Sequence, residues 1–237
     1  MGTLVDFRAW LRLDLNDPAA SGQRFADADL DRAVTRAAAD LTQAWPRVTD
    51  TEHVVAAASR SVALGGSFAG ILEVEEVEIP YGAAGAEATY PPTLVPFKLS
   101  ADKASVYVFS PEVPAASQRI RIRWTSAHSI TAGSTTVPTE LDSLVALGAY
   151  GFCALAYSTP AADNFRYEDG TTAAQVDDSM IPAEWRARSN GALAAFRGQL
   201  RKLAEVRARS GRRWVSWGRR EPRPLYPAGA GQVGVEP

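Results

Sequence analysis

Cysteine, histidine and methionine are nearly missing from this chain: 237 residues hold one cysteine, two histidines and two methionines. The single thiol, Cys153, permits no internal disulfide and no cysteine-rich zinc site. His53 and His128 leave Cys153 with His128 as the one imaginable nucleophile and base. Cys153 sits in the most apolar segment, where a free cysteine behaves as a small hydrophobe, and His128 reads as a loop or core residue. No phosphate-cradling loop exists either, because Gly65-Gly66 and the Gly82 to Gly85 stretch lack a downstream lysine and helix start. Long apolar runs are absent. The longest, Leu144 to Tyr157, falls short of the roughly 20 residues a bilayer requires, so no membrane partner is expected. Met1 to Asp17 carries Asp6, Asp14 and Asp17 and does not read as a signal peptide. A soluble chain kept in a reducing cytoplasm is the expectation.

Carboxylates are plentiful but not arranged for chemistry. Glu73, Glu75, Glu76 and Glu78 lie on one predicted strand, with Glu76 and Glu78 expected on its solvent face. Asp163, Glu168, Asp169, Asp177 and Asp178 form an acidic connection whose spacing matches no calcium loop. The expectation is therefore no catalytic residues, no metal and no cofactor: not an enzyme.

What is present is an ordinary globular composition, 46% hydrophobic and 22% charged, arranged in four zones. Residues 1–50 are helical. Leu4, Phe7, Leu11 and Leu15 recur at steps of three and four, Asn16-Asp17-Pro18 breaks the pattern, and a second helix runs from Asp27 to Trp45, stopped by Pro46. Its acidic first turn (Asp27, Asp29, Asp31) suits the helix dipole. Residues 51–130 change to period two. Strands are expected at Val54–Leu64, with Gly65-Gly66 as the turn, at Ile71–Ile79, at Ser105–Phe109 and at Arg119–Trp124. In the last, arginines alternate with Ile120, Ile122 and Trp124. Prolines confine these strands. Residues 131–210 return to helix: Glu140–Tyr157, apolar nearly all round, with Gly148 and Gly151 positioned to admit a close neighbour. A polar connection over Thr159–Asp178 leads to a last helix from Pro182 to about Ser210. Residues 211–237, rich in proline and glycine, read as an extended tail. The predicted class is α+β: mainly a helical bundle, with an antiparallel β-insert of four or five strands between the second and third long helices.

The net charge of −2 hides an asymmetry. Arg197 to Arg223 holds ten basic residues against Glu205 and Glu221, a local charge of +8, so the remainder carries about −10. The candidate binding residues are here: Arg207, Arg209, Arg212, Arg213 and Trp214. Trp217, Arg219, Arg220, Arg223 and Tyr226 continue the series. Arginine interleaved with aromatics is the composition of protein–protein hot spots and also of phosphate contact with base stacking. A solvated cationic end is the plain alternative. Two indoles three residues apart favour a segment that orders on a protein partner.

These elements, in this order, resemble the head-to-tail connector (adaptor, or neck) family of tailed bacteriophages. The similarity lies in the short first helix leading through Asn16-Asp17 to Asp29-Leu30-Asp31-Arg32-Ala33-Val34 and ending at Ala44-Trp45-Pro46. It continues in Ile120-Arg121-Ile122-Arg123-Trp124-Thr125-Ser126-Ala127-His128 before a Val137-Pro138 helix start. The alanine-rich helix with Ala146, Ala149, Ala154 and Ala156, a last long helix and a basic tail complete it. The resemblance implies a virion structural protein, monomeric alone, assembling in the host cytoplasm into a homo-oligomeric ring, typically a dodecamer. That ring would sit on the portal protein in the virion neck. The C-terminal segment would dock on the portal, another face would receive the adjacent neck or tail protein, and DNA would pass through the lumen without sequence-specific binding. A nucleic-acid-binding protein using the basic C-terminal segment is the competing reading. An enzyme or sugar-binding β-domain with helical flanks is a further rival.

Overall fold

The computed structural model describes residues 2–17, 23–81, 93–158 and 181–215, the side chains of 181–182 and 210–215 excepted. The expected acidic connection, Thr159–Asp178, lies outside these residues.

Two apolar cores organise the described chain, one between helices and one between sheets. Helix α1 (Leu4–Asp14) starts in a capping box: Thr3 Oγ1 accepts from the Asp6 amide, and Asp6 accepts from the Thr3 amide at 2.8 Å. The break after it is organised around a buried Asp17. Asn16 adopts φ 50°, and the Asp17 carboxylate accepts from the amides of Arg24 and Phe25 at 2.7 and 3.2 Å and from Arg12 Nη1 at 3.0 Å. Arg12, itself buried, also donates to Asp27 at 2.6 Å, at the start of α2 (Asp27–Ala44). The break residues thus join the first two helices through one desolvated guanidinium. The stripe read from sequence is the buried one: Leu30, Val34, Ala37 and Leu41 are fully covered.

Helix α3 (Asp142–Tyr157), entered through a 3-10 turn at Thr139–Leu141, is the central helix and touches α1, α2 and α4 (Ile181–Val215). Its two glycines are seats for α4. A Cβ on Gly148 would stand 2.8 Å from the Phe196 ring, and one on Gly151 would stand 2.8 Å from Leu193. Ser189 Oγ donates to the Gly151 carbonyl at 2.8 Å, so the close approach is also hydrogen-bonded. Gly148 facing Phe196 and Gly151 facing Leu193 make the pair antiparallel.

Among its described residues the insert holds six strands, more than expected: β1 (Arg47–Val54), β2 (Ser61–Ala63), β3 (Ile71–Glu78), β4 (Phe97–Leu99), β5 (Ser105–Val108) and β6 (Arg119–Ser126). They form two antiparallel three-stranded sheets, ordered β1-β6-β3 and β2-β5-β4. Both contribute to one apolar cluster, with Val106, Val108, Ile120 and Ile122 fully covered. The alternation read at Arg119–Trp124 is realised: Ile120, Ile122 and Trp124 face the core, and the arginines face away. Two details differ from expectation. The chain enters β1 directly after Pro46 and leaves it at Val54, where a strand was expected to begin. β1 has no buried residue; Thr49, Thr51 and His53 are half-covered as befits an edge strand, so no apolar alternation announces it. Gly65-Gly66 opens into a short 3-10 turn whose Phe68 packs on Trp124, centroids 5.6 Å apart.

Arg47, the first residue of the insert, pairs with Ser126, the last. Beyond that pair His128 pins insert to bundle. Its Nε2 stands 2.8 Å from the Trp45 carbonyl, and its amide donates to Thr42 Oγ1 at 3.1 Å. His128 is thus the buried structural residue that the sequence suggested.

Candidate interaction surface

The C-terminal end of α4 is where sequence placed the binding residues. The helix does not stop near Ser210 but continues through Val215, so Arg212, Arg213 and Trp214 are helical rather than part of an extended tail. Arginine, alanine and glutamate are good helix formers, Gly211 alone costs about 1 kcal/mol, and no proline intervenes before Pro222. Trp217, Arg219, Arg220, Arg223 and Tyr226 lie outside the described residues.

Arg209 is free to meet a partner: its side chain is 82% exposed and held only loosely by Glu205 at 3.9 Å. Arg207 is not. Its Nη2 donates to Glu75 Oε1 at 2.6 Å, tying the end of α4 to strand β3. That bond, which no sequence pattern announced because its partner is 132 residues away, engages Arg207 within the chain. Upstream, α4 also presents Arg186, Arg188, Arg197, Arg201 and Lys202 to solvent.

Glu75 belongs to a ladder of charge across the outer face of the β1-β6-β3 sheet. Register places Asp50 and Glu76 on either side of Arg123, and Glu52 and Glu78 on either side of Arg121. Arg119 is ion-paired with Glu52, and Arg121 with Glu78 at 2.7 Å. Arg123 lies 3.7–3.8 Å from Asp50, Glu75 and Glu76. Arg119 and Arg121 also stand over the Tyr81 ring at 5.6 and 5.3 Å. Glu78, expected in solvent beside Glu76, is instead buried. Register shifts in β3 between Ile71 and Glu73 and between Val74 and Glu76 break the simple alternation before Glu76; Glu78 keeps the face of Glu76 and is covered there beside Arg121. Burial pushes the Glu78 carboxyl above its ordinary range; Arg121 opposes the shift and Glu76 adds to it. Paired positive and negative side chains leave this face little attraction for a phosphate backbone.

Cys153 is buried, and burial, with a smaller contribution from Asp29, pushes its thiol up to about 12, which keeps it protonated and unreactive as a nucleophile. Among the described residues no group of three or more histidine, cysteine or acidic side chains is placed to hold a metal. No described helix is long and apolar enough to cross a membrane.

Helices α1 and α3 wall an open groove of about 870 Å³, lined by Trp10, Leu13 and Asp14 of α1 and by Ala146, Leu147 and Tyr150 of α3. Leu13 is 79% exposed. Trp10 is fixed from behind, edge-on to Phe7 at 5.1 Å and against Gly2, where a Cβ would come within 2.8 Å of the indole. Gly2 in turn donates its amide to Asp142 Oδ2 at 2.8 Å. Sequence reading missed this groove, since Trp10 and Leu13 merely interrupt a polar helix face.

No known family's sequence profile matches the chain, and no curated protein does. Among solved structures the chain is similar to a chain in the neck of an empty gene transfer agent particle and to one in the native virion of such a particle. Each is 19% identical, covers 77% of this chain and 88% of its own, and superposes with a TM-score of 0.28. A chain in the neck of the native particle, computed with C12 symmetry, gives 17%, 77%, 91% and 0.27. Similarity at that level leaves the functional reading to the chain's own residues.

Proposed function

We propose that this chain is a structural protein of a phage-like virion neck, one copy of a ring that joins the portal of the DNA-filled head to the tail or to the next neck protein. The observation that carries the reading is the basic end of α4, which runs on past the helical body with Arg209 exposed and is held to the insert through Arg207 and Glu75. A cationic helix end followed by more arginine and tryptophan suits anchorage on another protein. The portal is the partner assigned to it. The remaining charge of about −10 over the rest of the chain suits a lumen along which DNA slides rather than sticks. Cys153, the one thiol, is spent on packing, and the charged ladder on insert architecture, so the reading is non-catalytic.

Deleting residues 216–237 while keeping all of α4 tests the anchorage. The truncated chain is expected to lose attachment to purified portal rings in a pull-down while keeping its circular-dichroism spectrum. Undiminished attachment overturns the docking role of Trp217, Arg219, Arg220, Arg223 and Tyr226. Tight DNA binding by the free chain, steep in salt and lost with the same deletion, supports the nucleic-acid-binding alternative instead.

A further inference from the structure

Among the described residues the two apolar clusters share no member: one gathers the inner faces of α1, α2, α3 and α4, the other the strands of the insert. The backbone passes between them at two adjacent points, before Arg47 and after Ser126. His128 fastens the body side of that stem through Trp45 and Thr42 and does not reach the strands. Two units with separate cores and a narrow covalent joint move relative to each other unless some contact holds them. The contact here is polar and begins with an irregularity in β3. Val74 pairs with Trp124 and Glu76 with Arg123, the next residue back, so Glu75 is the additional residue of a bulge. A bulge re-aims a side chain. The Glu75 carboxylate accepts from Arg207 of α4 at 2.6 Å, while Arg123 of the neighbouring strand stands farther off at 3.8 Å.

We propose that the Arg207–Glu75 bond is a latch that fixes the attitude of the insert on the helical body, with the stem at Arg47 and Ser126 as the hinge about which the insert turns when the latch opens. The bond is short and charged at both ends, which gives it direction and strength. It is also accessible: the two side chains are 30% and 27% exposed, so water and salt compete with it. An ion pair of that kind holds one arrangement without making it permanent. Opening strands no carboxylate, because Glu75 keeps Arg123 beside it and Arg207 turns toward solvent. The insert's own packing is unaffected, since Val74 and Val77 on either side of Glu75 stay in its apolar cluster. A position fixed by apolar packing between helix and sheet would offer no such choice. The bulge therefore has a use beyond bending β3: it takes one acid out of the arginine ladder and presents it to the other half of the molecule. The latch needs no partner chain and stands apart from the portal reading.

Electron–electron distance measurement between spin labels at Leu13→Cys on α1 and Tyr107→Cys on β5 reads the attitude of the insert in the full chain. Both sites are exposed and the native Cys153 is buried. At low salt the parent chain should give one narrow distance peak. Glu75→Gln and Arg207→Gln, each added alone, should raise the population outside that peak about two- to fivefold, the span of a partly exposed ion pair. The two together should do no more than the larger single change, because both remove one interaction. Salt at about 1 M, where screening acts within about 3 Å, should widen the parent and leave the variants nearly unchanged. A second label pair within the insert, Val54→Cys with Tyr107→Cys, should stay narrow throughout, which marks the motion as one of a whole unit. The latch is overturned if the parent is already broad at low salt, if neither or only one of the single variants responds, or if their effects add. It is overturned as well if the pair within the insert widens with Arg207→Gln, a change that leaves the strands themselves untouched.

Discussion

The helical body and the β-insert exclude water by different means. In the body, shape does the work: two positions of α3 lack a side chain so that Phe196 and Leu193 can enter, and Phe152 meets Phe196 edge-on at 6.5 Å. In the insert the apolar layer is thin, and the outer face of its longer sheet is closed by a ladder of arginines between acids. A packed helix pair is intolerant of added volume. A charged sheet face is tolerant of volume and sensitive to protonation and salt. The two halves of one short chain should therefore fail under different insults.

The largest expected effect comes from emptying each core in turn. Phe196→Ala should cost about 3–5 kcal/mol and Ile122→Ala about 2–5 kcal/mol, both residues being fully buried. Hydrogen exchange followed by mass spectrometry should show protection falling first over residues 142–157 and 181–209 for the former, and over the strands for the latter. Equal loss in both halves for either variant would mean that the two cores unfold as one unit.

Next in size, Gly148→Ala should cost about 1–3 kcal/mol, since its Cβ would sit 2.8 Å from the Phe196 ring. A combined Gly148→Ala/Phe196→Leu chain should recover part of that loss in a denaturant titration. Additive losses would show that the seat is not the source of the strain.

The smallest effect is in pH, and its sign differs between the halves. In the body the Asp27 carboxyl is held below its ordinary value of 3.8, chiefly by the hydrogen bond from Arg12. Its contribution is present above 3.8 and is lost as pH falls through the lower folded value. In the insert the Glu78 carboxyl is raised above 4.5 by burial. Its contribution is present below 4.5 and is lost as pH rises through the higher folded value. Acidification from neutrality toward 4.5 should thus tighten the insert, and acidification below 3.8 should loosen the body. Exchange rates corrected for their intrinsic pH dependence read both, and Glu78→Gln should abolish the first trend.

Legibility in the sequence followed the same division. Helix faces were readable because burial and periodicity coincide in them: Leu30, Val34, Ala37 and Leu41 form both the stripe and the core, and Gly148 and Gly151 announced a close neighbour through their lack of bulk. Strand β6 was readable for the same reason. β1 was not, because an edge strand without a buried residue carries no apolar signal, and β3 misled at Glu78, which keeps the face it shares with Glu76 but is covered there beside Arg121. Pairings between separate elements, Arg207 with Glu75 and Arg12 with Asp27, depend on how elements dock. The basic end of α4 was visible as charge, but its helical continuation was hidden by Gly211, and the groove behind Trp10 exists only once α1 lies on α3.

The pairing of Arg47 with Ser126 has a consequence for how such a chain can change. Departure and return of the polypeptide occur at one point on the bundle, so the helical body sees everything from 47 to 126 as a single closed loop. The entropic cost of closing a loop grows only with the logarithm of its length, and the strands supply their own core. The insert can lengthen, shorten or be exchanged for another self-sufficient module while Trp45 and His128 still meet. Variation in what the insert presents to its surroundings is thereby separated from the packing that holds the helical body together.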